Sequence, residues 1–528
     1  MTIVPGTWAP ADEPHTIGRW LDDRAAASPG KTAIDDRGVT IDYRRLHERA
    51  AALASLFVRS GYGPGDRIAT LSGNSIDHVV AFFACVKIGV AFVPLSWRLT
   101  AAELAAVVDR ADPQLILVEE EYAGLASDAI SRTRGFAPTA MLGVAGVETH
   151  VPSRSGSSGP ATAARAVRDD DPALVIFTSG SEGTPKGVVL THANCFWNNL
   201  ALDGVVQLTA SDVVLCALPQ FHVAAWNVQP LLAWWAGATV VLERSFQPDR
   251  ILQLIPERGV SALMGVPTQY RLLADDVRFP ASDLSSLRIA QVGGAPLDED
   301  LRGAWRIRGV ELLAGYGLTE AGPNVLTVTA GEGDAAAGTV GAAYPHVDVC
   351  IADPATGLPL GAGAIGELWV RGPSVFAGYL GDAAESARAR CGEWLRTGDL
   401  ARRDGSGRYR IVDRVKDIYI SGGENIAPAE VERALCTHPH VQAAVAVGVP
   451  DRVWGERGVA FVELRPGAAC SEDELIAHAR DHLASFKVPV RIVPVDELPR
   501  SAIDKFARSR LRERARALIQ EGSHEHAG

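Results

Sequence analysis

The sequence predicts an α/β protein in two parts: a large N-terminal domain of mixed sheets with helices, carrying a small β-rich part, and a small α+β C-terminal domain. Three features predict it. Short apolar runs alternate with helically spaced Leu and Ala through most of the chain. Glycine, proline and short strands crowd residues 338–375. A compact α+β pattern then restarts after Arg414.

In chain order, helical spacing covers 16–28 and 43–61, and short apolar runs mark strands at 67–71 and 114–118. The most apolar stretch, 79–95, is broken by Lys87 and Gly89, so it reads as a buried helix (77–88) running into a strand (90–95), not a membrane span. A Ser/Gly/Pro loop at 153–162 precedes a strand at 173–177, and further strands are expected at 213–217, 239–242, 262–265 and 287–292. Within the β-rich part, 347–351 and 366–371 are strands. The last part holds helices at 428–435 and 471–483 and strands at 441–447, 459–464 and 490–493. The expected domains are 1–413, with 338–413 its β-rich part, and 414–528, with a hinge at 414–417.

Composition narrows the function. With 528 residues, 47% hydrophobic and 22% charged, the chain has ample core, which excludes collagen-like, disulfide-scaffold and wholly disordered classes. A net charge of −12 argues against a nucleic-acid binder with a global basic field. The seven cysteines are scattered, without a Cys-x-x-Cys pair, which argues against a zinc module and for a reducing, cytoplasmic setting. Residues 1–14 lack the basic start and apolar centre of a signal peptide. Only six of the 51 basic residues are lysine (31, 87, 186, 416, 487 and 505), so each lysine is a candidate site for a compact ammonium.

The segment Phe177-Thr178-Ser179-Gly180-Ser181-Glu182-Gly183-Thr184-Pro185-Lys186-Gly187 follows a predicted strand. Such a loop aims backbone N–H groups and hydroxyls at phosphate oxygens, and Lys186 adds charge. Its Pro-Lys-Gly order is not that of a Walker loop. The segment resembles the phosphate loop of the adenylate-forming superfamily: acyl-CoA synthetases, aryl-CoA ligases, peptide-synthetase adenylation domains and luciferases. Further matching segments follow in the superfamily's order: Gly293-Gly294-Ala295-Pro296-Leu297, Gly315-Tyr316-Gly317-Leu318-Thr319-Glu320, Gly366-Glu367-Leu368-Trp369-Val370-Arg371-Gly372-Pro373, Trp394 with Thr397-Gly398-Asp399, Asp413-Arg414-Val415-Lys416-Asp417, Ser421-Gly422-Gly423-Glu424-Asn425, and Pro499-Arg500-Ser501 leading to Lys505.

The resemblance implies a reaction. A carboxylate is a poor electrophile; joined to AMP it becomes a mixed anhydride with a good leaving group, and the site must gather two anions and expel pyrophosphate. The implied parts are as follows. Thr178, Ser179, Gly180, Ser181, Gly183, Thr184 and Lys186 hold the phosphates of ATP. Glu320 places Mg²⁺, and Thr319 lies near the α-phosphate. Gly294, Ala295, Pro296, Tyr316 and Gly317 flank the adenine, and Asp399 and Arg414 bind the ribose. Lys505 bridges the acid and the α-phosphate. Lys416 is the hinge of a mobile C-terminal domain, and Gly422 and Gly423 line the thiol path.

His222, where amino-acid-activating relatives carry Asp, points to a fatty, aryl or cyclic acid; His222, Trp226, Gly293 and Leu318 are the expected acyl pocket. CoA is the expected acceptor, with a carrier-protein thiol or an amine as the alternative, and the protein is expected to act as a monomer or homodimer. Two residues depart from the pattern. Glu182 replaces the usual Thr and is expected to point away from phosphate; Asp504 replaces the usual Gly before Lys505.

Overall fold

The computed structural model describes residues 15–135, 137–143, 151–154, 166–178, 185–414, 417, 419–421, 424–451, 454–483, 485–500 and 507–525. It has the expected α/β class, and the chain divides into two compact units: residues 1–349 with 370–395, and residues 350–369 with 396–528.

The first unit is built on two sheets. One runs Gly378–Tyr379, Lys186–Thr191, Pro172–Thr178, Ala91–Leu95, Arg67–Leu71, Leu115–Glu119, Thr139–Leu142. The other begins with Ala342–Ala343 and Leu326–Thr327, continues through the parallel strands Leu312–Tyr316, Ile289–Val292, Ala262–Gly265, Val213–Cys216, Thr239–Leu242 and Thr32–Asp36, and ends at Val39–Asp42. The apolar stretch flagged in the sequence is the helix Ile76–Lys87, buried from Ile76 to Val86, leading into Ala91–Leu95. Burial on every face explains why it lacks an amphipathic stripe. Ser75 starts it by accepting the His78 backbone N–H, and Thr100 with Glu103 forms a capping box at the next helix. No helix among the described residues is long and apolar enough to cross a membrane.

Two histidines are buried in this unit without charge. His78 donates from Nδ1 to the Gln220 amide oxygen (3.0 Å) and accepts at Nε2 from the Thr70 hydroxyl (2.8 Å). His192 accepts the Ile17 backbone N–H at Nδ1 (3.1 Å). Burial pushes both imidazoles down to about 4. An unfolded histidine titrates at about 6.5, so between these values the unfolded chain binds more protons and stability falls as the pH is lowered. We expect the urea midpoint to drop from pH 7 to pH 5, at up to ~1.4 kcal/mol per pH unit for each histidine. His78→Gln should flatten that slope.

Asp348–Ala352, Ile365–Arg371, Trp394–Arg403 and Tyr409–Arg414 form one sheet, most of whose residues fall in the second unit. A second sheet runs Glu424–Ile426, Tyr419–Ser421, Gly455–Leu464, Val441–Asp451, with Arg491–Val495 parallel to Gly455–Leu464. Helices Pro428–Cys436 and Glu472–His482 pack on one face through Val431, Leu435, Leu475 and Ala479. Arg508–Glu525 covers Val445, Val447 and Phe461 with Leu511 and Ala515.

Candidate active site

Open α/β sheets bind ligands at the carboxyl ends of their strands. In the first unit, Ala262–Gly265, Ile289–Val292 and Leu312–Tyr316 are adjacent and parallel, so their carboxyl ends lie together. The segments singled out in the sequence leave these ends. Gly293 donates its N–H to the Gly265 carbonyl (3.2 Å), and Gly294 turns the chain at φ +84° in the left-handed region. Gly294, Ala295 and Pro296 are exposed.

After Tyr316 the chain passes Gly317 and extended Leu318 into a single turn, Thr319–Ala321. Buried amides pin this loop. Asn227 donates to the Gly322 carbonyl (2.7 Å), and Asn198 Oδ1 accepts from the Asn324 backbone N–H (3.2 Å) and side-chain amide (3.1 Å). Asn198 and Asn227 are wholly buried on helices. Polar residues at core positions of helices were the available signal, and sequence reasoning missed them.

The structure brings Lys186 and Glu320 to one side chain. Thr178 and Lys186 are register partners of the hairpin around the glycine-rich loop. The Lys186 ammonium lies 5.2 Å from the Tyr379 ring centroid, and the Tyr379 hydroxyl donates to Glu320 Oε1 (2.9 Å). Lys186 also pairs with Glu385, whose carboxyl is held below its usual range by Lys186 and then Arg388. Burial, reinforced by the Glu320 charge, pushes the Tyr379 phenol far above its usual range, so it stays a neutral donor. The Phe376 N–H donates to the Glu320 carbonyl (2.9 Å), closing the loop onto the same strand region. Tyr379 is 59 positions from Glu320, and no local spacing reveals the pair.

The segment proposed for the acyl pocket is set by the His78 network. Asn74 accepts the Gln220 N–H (2.9 Å) and donates to the carbonyls of Leu218 (2.9 Å) and Glu243 (3.0 Å). His222 is half-buried beside Phe221, with its N–H on the Pro219 carbonyl (3.0 Å). Trp226 points into the core: it is fully buried among His78, Phe82 and Phe92, and its indole N–H reaches the Gln220 carbonyl (2.6 Å). The small hollow beside it is lined instead by Leu215, Leu218, Ala225, Gln229, Pro230 and Met264. Met264 lies against Gly293, where a Cβ would stand 3.2 Å from its Cε.

In the second unit, Asp399 and Arg414 are register partners on adjacent strands, and Arg414 Nε bonds Asp399 Oδ1 (2.9 Å). Asp399 is buried while the Arg414 side chain is half-exposed. Glu367 builds the turn before Asp399: its carboxylate accepts from the Gly398 N–H (3.0 Å), the Trp369 indole (2.9 Å) and Arg396 Nε (3.2 Å). Thr397 completes it, donating to the Leu368 carbonyl (2.6 Å) and accepting the Asp399 N–H (3.1 Å). Asp413 holds the next element by accepting the Ala429 N–H (2.8 Å), and burial raises its carboxyl. Ser179, Gly180, Ser181, Glu182, Gly183, Thr184, Lys416, Gly422, Gly423, Asp504 and Lys505 lie outside the described residues.

Residues 21–380 match the AMP-binding enzyme family, and residues 430–505 match the AMP-binding enzyme C-terminal domain. The chain belongs to the AMP-binding enzyme family. Across 499 residues it is 37% identical to a feruloyl-CoA synthase of an Amycolatopsis species, covering 94% of this chain and 99% of that one. Across 501 residues it is 34% identical to the indoleacetate–CoA ligase of Aromatoleum aromaticum, covering 94% and 98%. The solved structure of ATP-bound MatB from Rhodopseudomonas palustris matches with a TM-score of 0.86 at 31% identity, over 96% of this chain and 100% of that one.

In this AMP-binding enzyme the Lys186–Tyr379–Glu320 arrangement places a cation, a neutral donor and a carboxylate within one small region. Tyr379 orients Glu320 without contributing charge. Tyr379→Phe should leave the fold intact and lower ATP–pyrophosphate exchange by about tenfold, as expected from losing one hydrogen bond to a charged group. Unchanged exchange would remove the orienting role.

Proposed function

We propose that this enzyme is an ATP-dependent acid–CoA ligase. A carboxylate oxygen attacks the α-phosphorus of ATP, the bridging P–O bond to the β-phosphate breaks, and pyrophosphate leaves. The CoA sulfur then attacks the acyl carbon, the bond to AMP breaks, and a thioester and AMP result. The observation that supports this reading best is the joining of Lys186 to Glu320 through Tyr379 beside the strand ends that carry Gly293–Pro296 and Tyr316–Thr319.

On this reading Lys186 exchanges its Glu385 partner for phosphate oxygens, and Thr178 with Ser179–Thr184 adds donors. Thr319 lies near the α-phosphate. Gly294, Ala295, Pro296, Tyr316 and Gly317 flank adenine. Asp399 accepts hydrogen bonds from the ribose hydroxyls, with Arg414 beside it. Glu320 suits a hard divalent cation, since it offers carboxylate oxygens already oriented by Tyr379. Mg²⁺ held there supplies charge neutralisation for the phosphates. Lys505 serves the first step, Gly422 and Gly423 serve the thiol, and Lys416 is the hinge between the two. The acid enters beside Gly293, Leu318 and His222, and the names of the two relatives above favour an aryl acid.

The test is ATP–pyrophosphate exchange over a panel of aryl, cyclic and medium-chain fatty acids, followed by CoA or a phosphopantetheinyl carrier protein. We expect aryl acids to drive exchange and free CoA to release AMP with thioester formation. Absence of exchange with every acid would refute the ligase reading, and release by the carrier protein alone would replace CoA as acceptor.

A further inference from the structure

The C-terminal unit gathers ligating side chains that the proposed reaction does not use. His438 and His440 lie in the loop between helix Pro428–Cys436 and strand Val441–Asp451. Cys470 immediately precedes Ser471, the N-cap of helix Glu472–His482. One ligand atom from each of the three lies within 4.8 Å of the others, and Cys470 Sγ is 3.9 Å from His438 Nε2. Two more imidazoles adjoin: the His478 ring centroid is 4.9 Å from that of His438, and His482 is 4.1 Å from His478. Four of the chain's 13 histidines therefore share one patch with a thiol.

We propose that His438, His440 and Cys470 form a binding site for a thiophilic divalent transition ion such as Zn²⁺. Imidazole and thiolate are the donor types such ions select. Bond lengths of about 2.0 Å to nitrogen and 2.3 Å to sulfur put tetrahedral ligand atoms about 3.3–3.6 Å apart, so the cluster needs only a modest contraction. The scaffold is firm. The Arg465 N–H bonds the His440 carbonyl (2.9 Å), tying the start of the cysteine loop to the histidine loop, and Val441 N–H bonds the His438 carbonyl (3.0 Å).

Neighbouring groups fit the same role. His478 Nε2 lies 3.1 Å from the Ala434 carbonyl and 2.8 Å from Thr437 Oγ1, and His482 Nδ1 lies 2.8 Å from the His478 carbonyl. Carbonyl contacts of this kind fix the tautomer of metal-ligating histidines. His478 or water takes the fourth position. Two adjustments accompany binding. Cys470 gives up its thiol proton to solvent as the S–metal bond forms. The His438 ring proton moves to Nδ1, which gives up its 3.2 Å contact from the His440 N–H. Paired-cysteine spacing is absent from the sequence because the fold, not a local motif, assembles this donor set.

The test uses the reduced full-length chain. Titration with Zn²⁺ against a chromophoric chelator should give one stoichiometric site. Co²⁺ in its place should give intense visible bands of tetrahedral coordination and a near-ultraviolet thiolate charge-transfer band. Cys470→Ser should abolish the charge-transfer band and weaken Zn²⁺ at least tenfold, and His438→Ala with His440→Ala should weaken it similarly. Circular dichroism checks that each variant is folded. His524→Ala with His526→Ala in the tail should change nothing. Failure of Zn²⁺ to compete with the chelator, an unchanged affinity in Cys470→Ser, or loss of binding in the tail variant would each overturn the site.

Discussion

Lys505→Ala is expected to lower ATP–pyrophosphate exchange by about 10²–10³-fold, the usual cost of removing one group that stabilises developing charge. Thioester formation from supplied acyl-adenylate and CoA should stay within about threefold, because the approach of an anionic carboxylate to the α-phosphate is already complete in the adenylate and AMP leaves with the electron pair of the broken acyl–oxygen bond. Adenylation brings a carboxylate against an anionic phosphate, and a compact ammonium relieves that repulsion as a point charge. Arginine is the ordinary cation of this region, at Arg500, Arg508 and Arg510, and the role proposed for the single lysine is one that a planar guanidinium would not fill. Lys505→Arg should therefore rescue little. The loss is not explained by unfolding of the following helix. Arg508 holds that helix independently, bonding Glu432 Oε2 (2.9 Å) and the Ala446 carbonyl (2.9 Å), while Leu511 and Ala515 are buried. Assaying the two half-reactions separately checks the prediction, and equal damage to both would remove Lys505 from the first step.

Elements whose character is local were legible in the sequence. The strands Arg67–Leu71, Thr239–Leu242 and Ala262–Gly265 coincide with their apolar runs, and Tyr43–Arg59 follows its helical spacing. Strand order was not legible, because pairing joins residues far apart: Thr32–Asp36 sits beside Thr239–Leu242. The two-residue strands Leu326–Thr327 and Gly378–Tyr379 are too short to carry a period, and they exist only through their partners. The same limit applies to the site. Motif order named Lys186, Glu320, Asp399 and Arg414 as candidates. Tyr379, Glu367, Asn198 and Asn227, which orient loop and turn, are recognisable only by what they bond. Trp226 shows the converse. Its residue type suggested a pocket wall, yet in a short helix beside Phe82 and Phe92 the large apolar ring is more stable in the core.

Gly317→Ala is the second change expected to have a large effect. A Cβ at this position would stand 1.5 Å from the Pro323 carbonyl oxygen and 2.7 Å from its carbon. No side chain can move aside, because the obstructing atoms are backbone. The loop would have to open, yet it is held at several points: Val325 N–H to the Tyr316 carbonyl (3.2 Å), Asn227 to Gly322 (2.7 Å), and Phe376 N–H to Glu320 (2.9 Å). Relieving the clash therefore breaks the bonds that position Thr319 and Glu320. We expect exchange to fall at least about 100-fold, the scale seen when a preorganised group is displaced, with a stability loss of about 1–3 kcal/mol from overpacking. Two other glycines calibrate the result. Gly294→Ala meets its nearest atom at 3.6 Å and faces only the left-handed φ of +84°, so its cost should be about 1–2 kcal/mol without a clash. Gly303→Ala lies in the helix Glu299–Ile307 with nothing within 4 Å and should be neutral or stabilising by up to about 1 kcal/mol. Exchange rates and urea midpoints of the three variants, measured together, separate a blocked loop from a general loss of stability. Near-normal exchange in Gly317→Ala would mean that the Gly317–Asn324 loop adapts, and that its amide pins do not govern where Glu320 stands.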